Sequence, residues 1–424
     1  MKKFCLIMAA IMVISIFAGC NSTTGSGGKV ELTVVTPFSD SDGNRQNFVN
    51  AYTAYEKASG NKIIDVETAY VNEEWKAKVL ADFQNGNEPD VIFYFTRADA
   101  DELIKNGKIV SIDDIRKEYP DYAANMKESL MPVSTYDGRQ YAVSVYGYWE
   151  GLFVNKKVLA DCGVAMPGAD YTWNQFLADC RIIRDKGYTP IACSLKEVPH
   201  YWFEYCVYNN GTVSSHPKLP ASAGDEIGKN WAAGLNDIKT LYDEGFFPDN
   251  TNDVGDDATA LMIVQDKAAF LLDGSWKVGW FQEHATDIDN FTVTYVPSKG
   301  ERKSTDAIGG FSMGYCITKK AWDDPKKRDA CVEFIKAMTA DEVVSTFGSL
   351  TVTALKNGVT PSGDLDPLAV SSLAMTKGVT GMVPATQDSL KPAARDSLFK
   401  NISNIATGKI TSDKALEECL DIQK

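Results

Sequence analysis

Glu31-Leu32-Thr33-Val34-Val35 and Asp90-Val91-Ile92-Phe93-Tyr94-Phe95 bracket the stretch on which the fold turns. The first reads as a strand, with apolar Leu32, Val34 and Val35 ahead of the breaker Pro37. The second is a short, nearly continuous apolar run, the pattern of a buried strand. Between them Phe48, Tyr52 and Tyr55 recur at i, i+4 and i+7, which predicts a helix stopping near Ser59-Gly60. A strand around Ile63 to Val66 follows. A helix from Glu73 to Phe83 then carries Trp75, Val79, Leu80 and Phe83 on one face. This β-α-β-α-β alternation predicts an α/β fold with a mainly parallel sheet covered by helices.

Further along, Tyr141 to Val145 and Leu152 to Val154 are apolar and β-prone. A helix begins near Thr172, with Trp173, Phe176, Leu177 and Cys180 on one face and Gly187 at its end. Asn230 to Tyr242 reads as a helix closed by Glu244-Gly245. Ala268 to Leu272 reads as a strand leading into Asp273-Gly274-Ser275-Trp276. Ala321 to Phe347 reads as one long helical stretch with a start signal at Pro325. Asn250 to Asp257 is a polar, acidic loop, and no internal repeat is present. A mature chain of about 400 residues exceeds one ordinary core, so two domains are expected.

The N-terminus speaks to location. Lys2 and Lys3 precede an apolar run from Phe4 to Gly19. That run falls short of the roughly 20 residues a transmembrane helix needs, and its flanks are those of a secretory signal. Ile16-Phe17-Ala18-Gly19-Cys20 resembles a bacterial lipobox, with Phe17 in place of the usual Leu. Residues 1–19 are therefore expected to be a lipoprotein signal peptide. Cys20 would take the lipid, and residues 20–28, rich in Gly, Ser and Thr, would form a flexible tether. Two acyl chains give stable anchoring at the cell membrane, on the extracytoplasmic face.

The formal net charge of -14 becomes about -16 once Lys2 and Lys3 leave. Such a surface repels nucleic acid. Of nine cysteines, Cys5 leaves with the signal and Cys20 is the lipid site. Seven remain, with no CxxC among them. Cys180, Cys331 and Cys419 sit at core spacing on predicted helices, the pattern of buried thiols; a disulfide involving Cys162, Cys193, Cys206 or Cys316 stays open. His200, His216 and His284 are far apart and form no HExxH. Walker A, GxGxxG and GxSxG patterns are absent, so no cofactor or catalytic metal is expected. The acid-rich Asp40 to Gly43 and Asp249 to Asp257 lack the spacing of a calcium loop.

Several segments occur in one order: Glu88-Pro89-Asp90-Val91; Asp137-Gly138-Arg139-Gln140-Tyr141-Ala142-Val143; Leu152-Phe153-Val154-Asn155-Lys156; Trp173-Asn174-Gln175-Phe176; Gly187-Tyr188-Thr189-Pro190; Asp266-Lys267-Ala268-Ala269-Phe270 ahead of Gly274-Ser275-Trp276; and Gly309-Gly310. The ordered set behind a lipobox resembles the family-1 extracellular solute-binding proteins of bacterial carbohydrate ABC transporters, the maltose-binding-protein-like group. The chain departs from that pattern at Ser144, where Pro is common, and at Leu350 to Gly358, which lacks a frequent Gly-x-x-Pro. The resemblance implies a two-lobed periplasmic-binding-protein-like fold of type II, with a hinge between the lobes and a ligand cleft between them. Projected onto this chain, the N-terminal lobe is 29–143 plus 309–355 and the C-terminal lobe is 144–308 plus 356–424. The implied partners are a carbohydrate ligand, the transmembrane permease subunits of an ABC transporter, and the membrane through Cys20. A monomer is expected.

A sugar presents apolar C–H faces and hydroxyl edges, so its pocket needs flat aromatics with convergent polar groups. Aromatic clusters fall where the family places its cleft. Trp276 ends the Gly-Ser-Trp turn. His200 and Trp202 follow the Gly187 to Pro190 strand, with Trp202 alternating with Tyr201 and Phe203. Tyr146, Tyr148 and Trp149 lie on the first crossing between lobes; strand neighbours point to opposite faces, so Tyr148 and Trp149 are alternatives. Glu150 could instead form an ion pair. Polar candidates are Asp40 and Arg45 after the first strand, Glu73 in a first helical turn, and Tyr94 and Thr96 at the end of the Asp90 strand. Asp40 could equally cap the helix after Asn44, and the helix dipole alone favours a carboxylate at Glu73.

The expected activity is binding without chemistry. A glycosidase, which needs two carboxylates about 5–9.5 Å apart across a cleft, is the enzymatic alternative. A binder of a non-sugar solute and a ligand sensor on the same fold are the others.

Overall fold

The computed structural model describes residues 29–38, 44–66, 73–197, 199–359 and 364–424. The expected leader, Cys20, the expected tether and Asp40 lie outside these residues, as does the acidic Asp40 to Gly43 stretch.

The first sheet has the order β2-β1-β3-β9. Its strands are β1 (Glu31–Val35), β2 (Lys62–Val66), β3 (Val91–Phe95) and β9 (Met313–Ile317). β1 pairs in parallel with β2 and β3, while β9 returns antiparallel beside β3. β3 is buried along nearly its whole length because helices cover both faces. Phe93 joins Leu32, Val34, Phe48 and Phe334 on one side. Ile92 and Tyr94 meet Trp75, Val79 and Phe83 on the other. Asp90 ties the strand entry together, accepting from Thr33 N at 2.8 Å and from Lys327 Nζ at 2.7 Å.

The second sheet runs β10-β8-β4-β6-β5, with β7 also on β4. Its strands are β4 (Tyr148–Asn155), β5 (Thr189–Ala192), β6 (Ala268–Gly274), β7 (Phe291–Thr294), β8 (Asp306–Gly310) and β10 (Gly381–Val383). The expectation of a mainly parallel sheet holds for the first sheet and not for this one. β4 is antiparallel to β6, β7 and β8. It enters from the other sheet rather than through a β-α-β crossover, so no crossover fixes its direction.

Two chain crossings join the sheets. Val143 bridges Tyr315 in the first, and Tyr148 pairs with Gly310 in the second, so 144–147 and 311–312 span the gap side by side. Gly147 is required there: a Cβ would lie 2.2 Å from Gly310 O. Ser144, where the family often has Pro, instead donates its hydroxyl to Met313 O. A third segment leans on these crossings, with Gly147 N donating to Val352 O at 2.8 Å.

Three local readings change. The Tyr141 to Val145 run forms only isolated bridges, not a strand. The Pro199 to Trp202 segment opens a helix, His200–Asn209. The predicted long helix after Ala321 is three: Lys319–Asp323, Pro325–Met338 and Asp341–Phe347. Asp324 starts the second by accepting from Lys326 N and Lys327 N. All seven cysteines of the described residues are free and buried.

Candidate ligand cleft between the two sheets

The cleft begins at the carboxyl end of β6. There the chain turns through Gly274-Ser275-Trp276, and Ser275 N donates to Trp149 O at 2.9 Å. The Trp276 indole folds back over its own turn: a Cβ on Gly274 would meet the ring at 2.2 Å. The ring is nonetheless 47 % exposed, unlike the buried tryptophans around it. Tyr148 and Tyr201 flank it with ring centroids at 6.3 and 5.8 Å. Tyr148 is held by its hydroxyl, which accepts from Ala385 N at 3.1 Å. His200 stacks on Phe399 at 5.2 Å and leaves a buried Nδ1 without a hydrogen-bond partner among the described residues. Burial, with Lys76 and Arg395 nearby, lowers its pKa from 6.5 to about 3, so the ring is neutral.

Carboxylates act on these tyrosine rings from nearby. Glu150 shares a face of β4 with Tyr148 and is 2 % exposed, and its Oε2 has no hydrogen-bond partner among the described residues. Among the described residues the ion pair considered for Glu150 is not formed; its charged neighbours are Glu204, Asp388 and Asp273, and burial raises its pKa well above the usual carboxylate range. Glu204 accepts from Thr386 N at 2.9 Å and Gln387 N at 2.7 Å, with His216 Nε2 3.1 Å away. Asp388 is pushed up to about 6 by burial, against the pull of Lys76 and Arg395.

A charged cluster joins the two units across the cleft. Arg395 comes from the helix Pro392–Ala406, which packs with the second sheet's core. Its Nη2 reaches Asp99 Oδ1 and Glu73 Oε2, each at 2.6 Å, and Nη1 reaches Asp99 Oδ2 at 3.3 Å. Glu73 and Asp99 belong to the helices Glu73–Gln84 and Ala98–Lys105 beside the first sheet. Lys76 completes the set, 2.9 Å from Glu73 and 3.4 Å from Asp99, with its ammonium 4.0 Å above the Phe95 ring. Burial opposes ionisation of Glu73, but Lys76 and Arg395 hold its carboxyl below the usual range. Arg97 adds a bond to Ser389 Oγ at 2.8 Å.

Trp276, Tyr148, His200 and Glu73 thus meet around one cleft. Among the described residues, the other sequence candidates do not. Trp202 is 1 % exposed and stacks on Phe176 at 5.5 Å inside the core, because helical spacing turns it away from Tyr201. Trp149 points to the opposite face of β4 from Tyr148, fully buried, with its indole N–H on Leu350 O at 3.1 Å. Tyr146 packs against Phe93 and Phe347. Tyr94 is buried with its hydroxyl on Lys76 O, and Thr96 bonds Ser312 O at 3.0 Å. Arg45 pairs with Asp65 and Phe38 O near the first strand. Sequence reading missed Lys76, Asp99, Asp388 and Arg395. The i, i+3 spacing of Glu73 and Lys76 was the one local signal available.

Two α/β units, chain segments crossing between them, and a groove lined by aromatics and charges define a two-lobed receptor. The chain belongs to the bacterial extracellular solute-binding proteins, whose family profile matches residues 50–354. These are receptors of ABC transport, not enzymes, and they work outside the cell. Solved structures share the fold at low identity. A chitin oligosaccharide binding protein is 21% identical with a TM-score of 0.78, covering 93% of this chain and 98% of its own. An ABC substrate-binding protein from Listeria monocytogenes in complex with cycloalternan is 16% identical with a TM-score of 0.73, covering 93% and 98%. A probable secreted solute-binding lipoprotein from Streptomyces coelicolor is 16% identical with a TM-score of 0.70, covering 92% and 98%.

Proposed function

We propose that this receptor captures a sugar, mono- or oligosaccharide, between its lobes and delivers it to the permease of an ABC transporter. One observation carries the reading: the half-exposed Trp276, flanked by Tyr148 and Tyr201 near buried carboxylates. An indole face suits the C–H face of a pyranose, and carboxylate oxygens accept from hydroxyls at its edge. The chitin oligosaccharide and cycloalternan receptors of the same fold support the ligand class. In this reading the lobes are 29–143 with 309–355, and 144–308 with 356–424. A monomeric chain is tethered to the membrane through a lipid on Cys20.

A thermal-shift screen over mono- and oligosaccharides, followed by calorimetry on the hits, tests the ligand class. A bound sugar raises Tm by mass action. At least one sugar is expected to bind saturably, and Trp276→Ala to weaken it by about tenfold or more. Absence of heat with every sugar of a broad panel refutes the reading. The anchor is tested separately: Cys20→Ser is expected to release the protein from membranes, and retention of the variant there counts against lipidation.

A further inference from the structure

We propose that the solute carries a protonated amine, an amino-bearing sugar whose ammonium is held by Glu150 and Asp388 near Tyr148, Tyr201 and Trp276. The inference rests on the sugar reading above and narrows it.

It comes from the charges around the cleft. Arg395 and Lys76 are engaged by Asp99 and Glu73, two cations on two anions. Lys277 lies between Asp256 at 3.3 Å and Asp273 at 3.6 Å. Glu204 is satisfied by two backbone amides and faces His216. Glu150 and Asp388 remain, together with Arg97, whose Nη2 bonds Ser389 Oγ at 2.8 Å. Among the described residues neither carboxylate has a cation within 4.0 Å; Lys76 and Arg395 act on Asp388 only from farther off. Glu150 is the sharper case, because its buried Oε2 has no hydrogen-bond partner among the described residues.

Ionising Glu150 is costly, because its open oxygen is buried and its charged neighbours are other carboxylates, so without a counter-charge it keeps its proton. A hydroxyl from a neutral sugar supplies a hydrogen bond but no counter-charge. An ammonium supplies both, in a charge-assisted bond. The aromatic surround favours the same group: ammonium is attracted to the faces of tryptophan and tyrosine. Glu150 lies on the Tyr148 side of β4, and Tyr148 and Tyr201 both lie within electrostatic range of it. The cation would therefore sit against these rings and this carboxylate together. An anionic sugar meets repulsion at the same place.

The test is calorimetry on the full chain with glucose, N-acetylglucosamine and glucosamine oligomers of one length and linkage. These differ only in hydroxyl, acetamido or ammonium at one carbon. The glucosamine oligomer is expected to bind about tenfold or more tighter than either neutral partner. Glu150→Gln should collapse that preference, whereas Trp276→Ala should weaken all three ligands together. If Glu150→Gln does not fold, Asp388→Asn carries the same comparison. Equal or tighter binding of the neutral oligomers overturns the amine inference and leaves the sugar reading standing. Binding of none of the three, nor of any sugar in the wider panel, overturns both.

Discussion

Replacing Arg395 by methionine removes the ion pair between the units while keeping most of the side chain's apolar bulk. The structure sets the size of the effect. Arg395 is 1 % exposed and makes three bonds, two to Asp99 and one to Glu73. Asp99 is itself 2 % exposed, so in the variant it stays out of water with Lys76 at 3.4 Å as its remaining balance. Breaking a buried pair costs about 3–5 kcal/mol, and the remaining lysine puts this case near 3. The cost falls on the latched form alone, since opening returns Asp99 and Glu73 to water. The ratio of latched to open molecules should therefore drop roughly a hundredfold. Small-angle scattering without ligand reads this directly: the wild type should be compact and Arg395→Met expanded. Apparent sugar affinity should fall with the competent fraction. Adding Asp99→Leu should restore part of the compact form, because no buried charge is then left alone. Identical scattering from the wild type and Arg395→Met would refute the latch.

Trp202→Ala should lower stability by about 3–5 kcal/mol, read as a fall in Tm, with sugar affinity of the folded fraction unchanged. A loss of affinity at constant Tm would return Trp202 to the cleft. Gly274→Ala places a Cβ 2.2 Å from the Trp276 ring and should weaken sugar binding as Trp276→Ala does; retained affinity would show that the indole position is irrelevant. His200 is held neutral, with a pKa lowered from 6.5 to about 3. Its stabilising contribution is whole above pH 6.5 and is lost as pH falls toward 3, because the unfolded chain binds the proton first. Asp388, raised from 3.8 to about 6, acts with the opposite sign between those values. His200→Phe should therefore flatten the acid side of the Tm–pH curve; superimposable curves for the two proteins would contradict this.

The first β-α-β-α-β unit was legible because its periodicities are clean and its breakers, Pro37 and Gly60, stand where the elements end. The helix from His200 was not, because Trp202 to Asn209 is buried on every side and carries no polar face to set a period. The antiparallel run of β4 was hidden for a different reason: strand direction is a property of pairing, which local pattern does not encode. In the cleft, Trp276 could be read from Gly274-Ser275-Trp276, since a glycine turn before a large ring signals a close approach. Arg395 could not. Its partner Asp99 lies 296 residues away, and nothing around either residue marks the pair.

The central claim is that a sugar ring lies on Trp276 with its polar edge toward Glu150 and Asp388. A crystal structure with the tightest-binding sugar tests it most directly. The account predicts a pyranose face stacked on the Trp276 indole, between Tyr148 and Tyr201, with the Arg395–Asp99 contact in place. Ligand bound elsewhere, or in the same cleft with Trp276 turned away from it, would contradict the account.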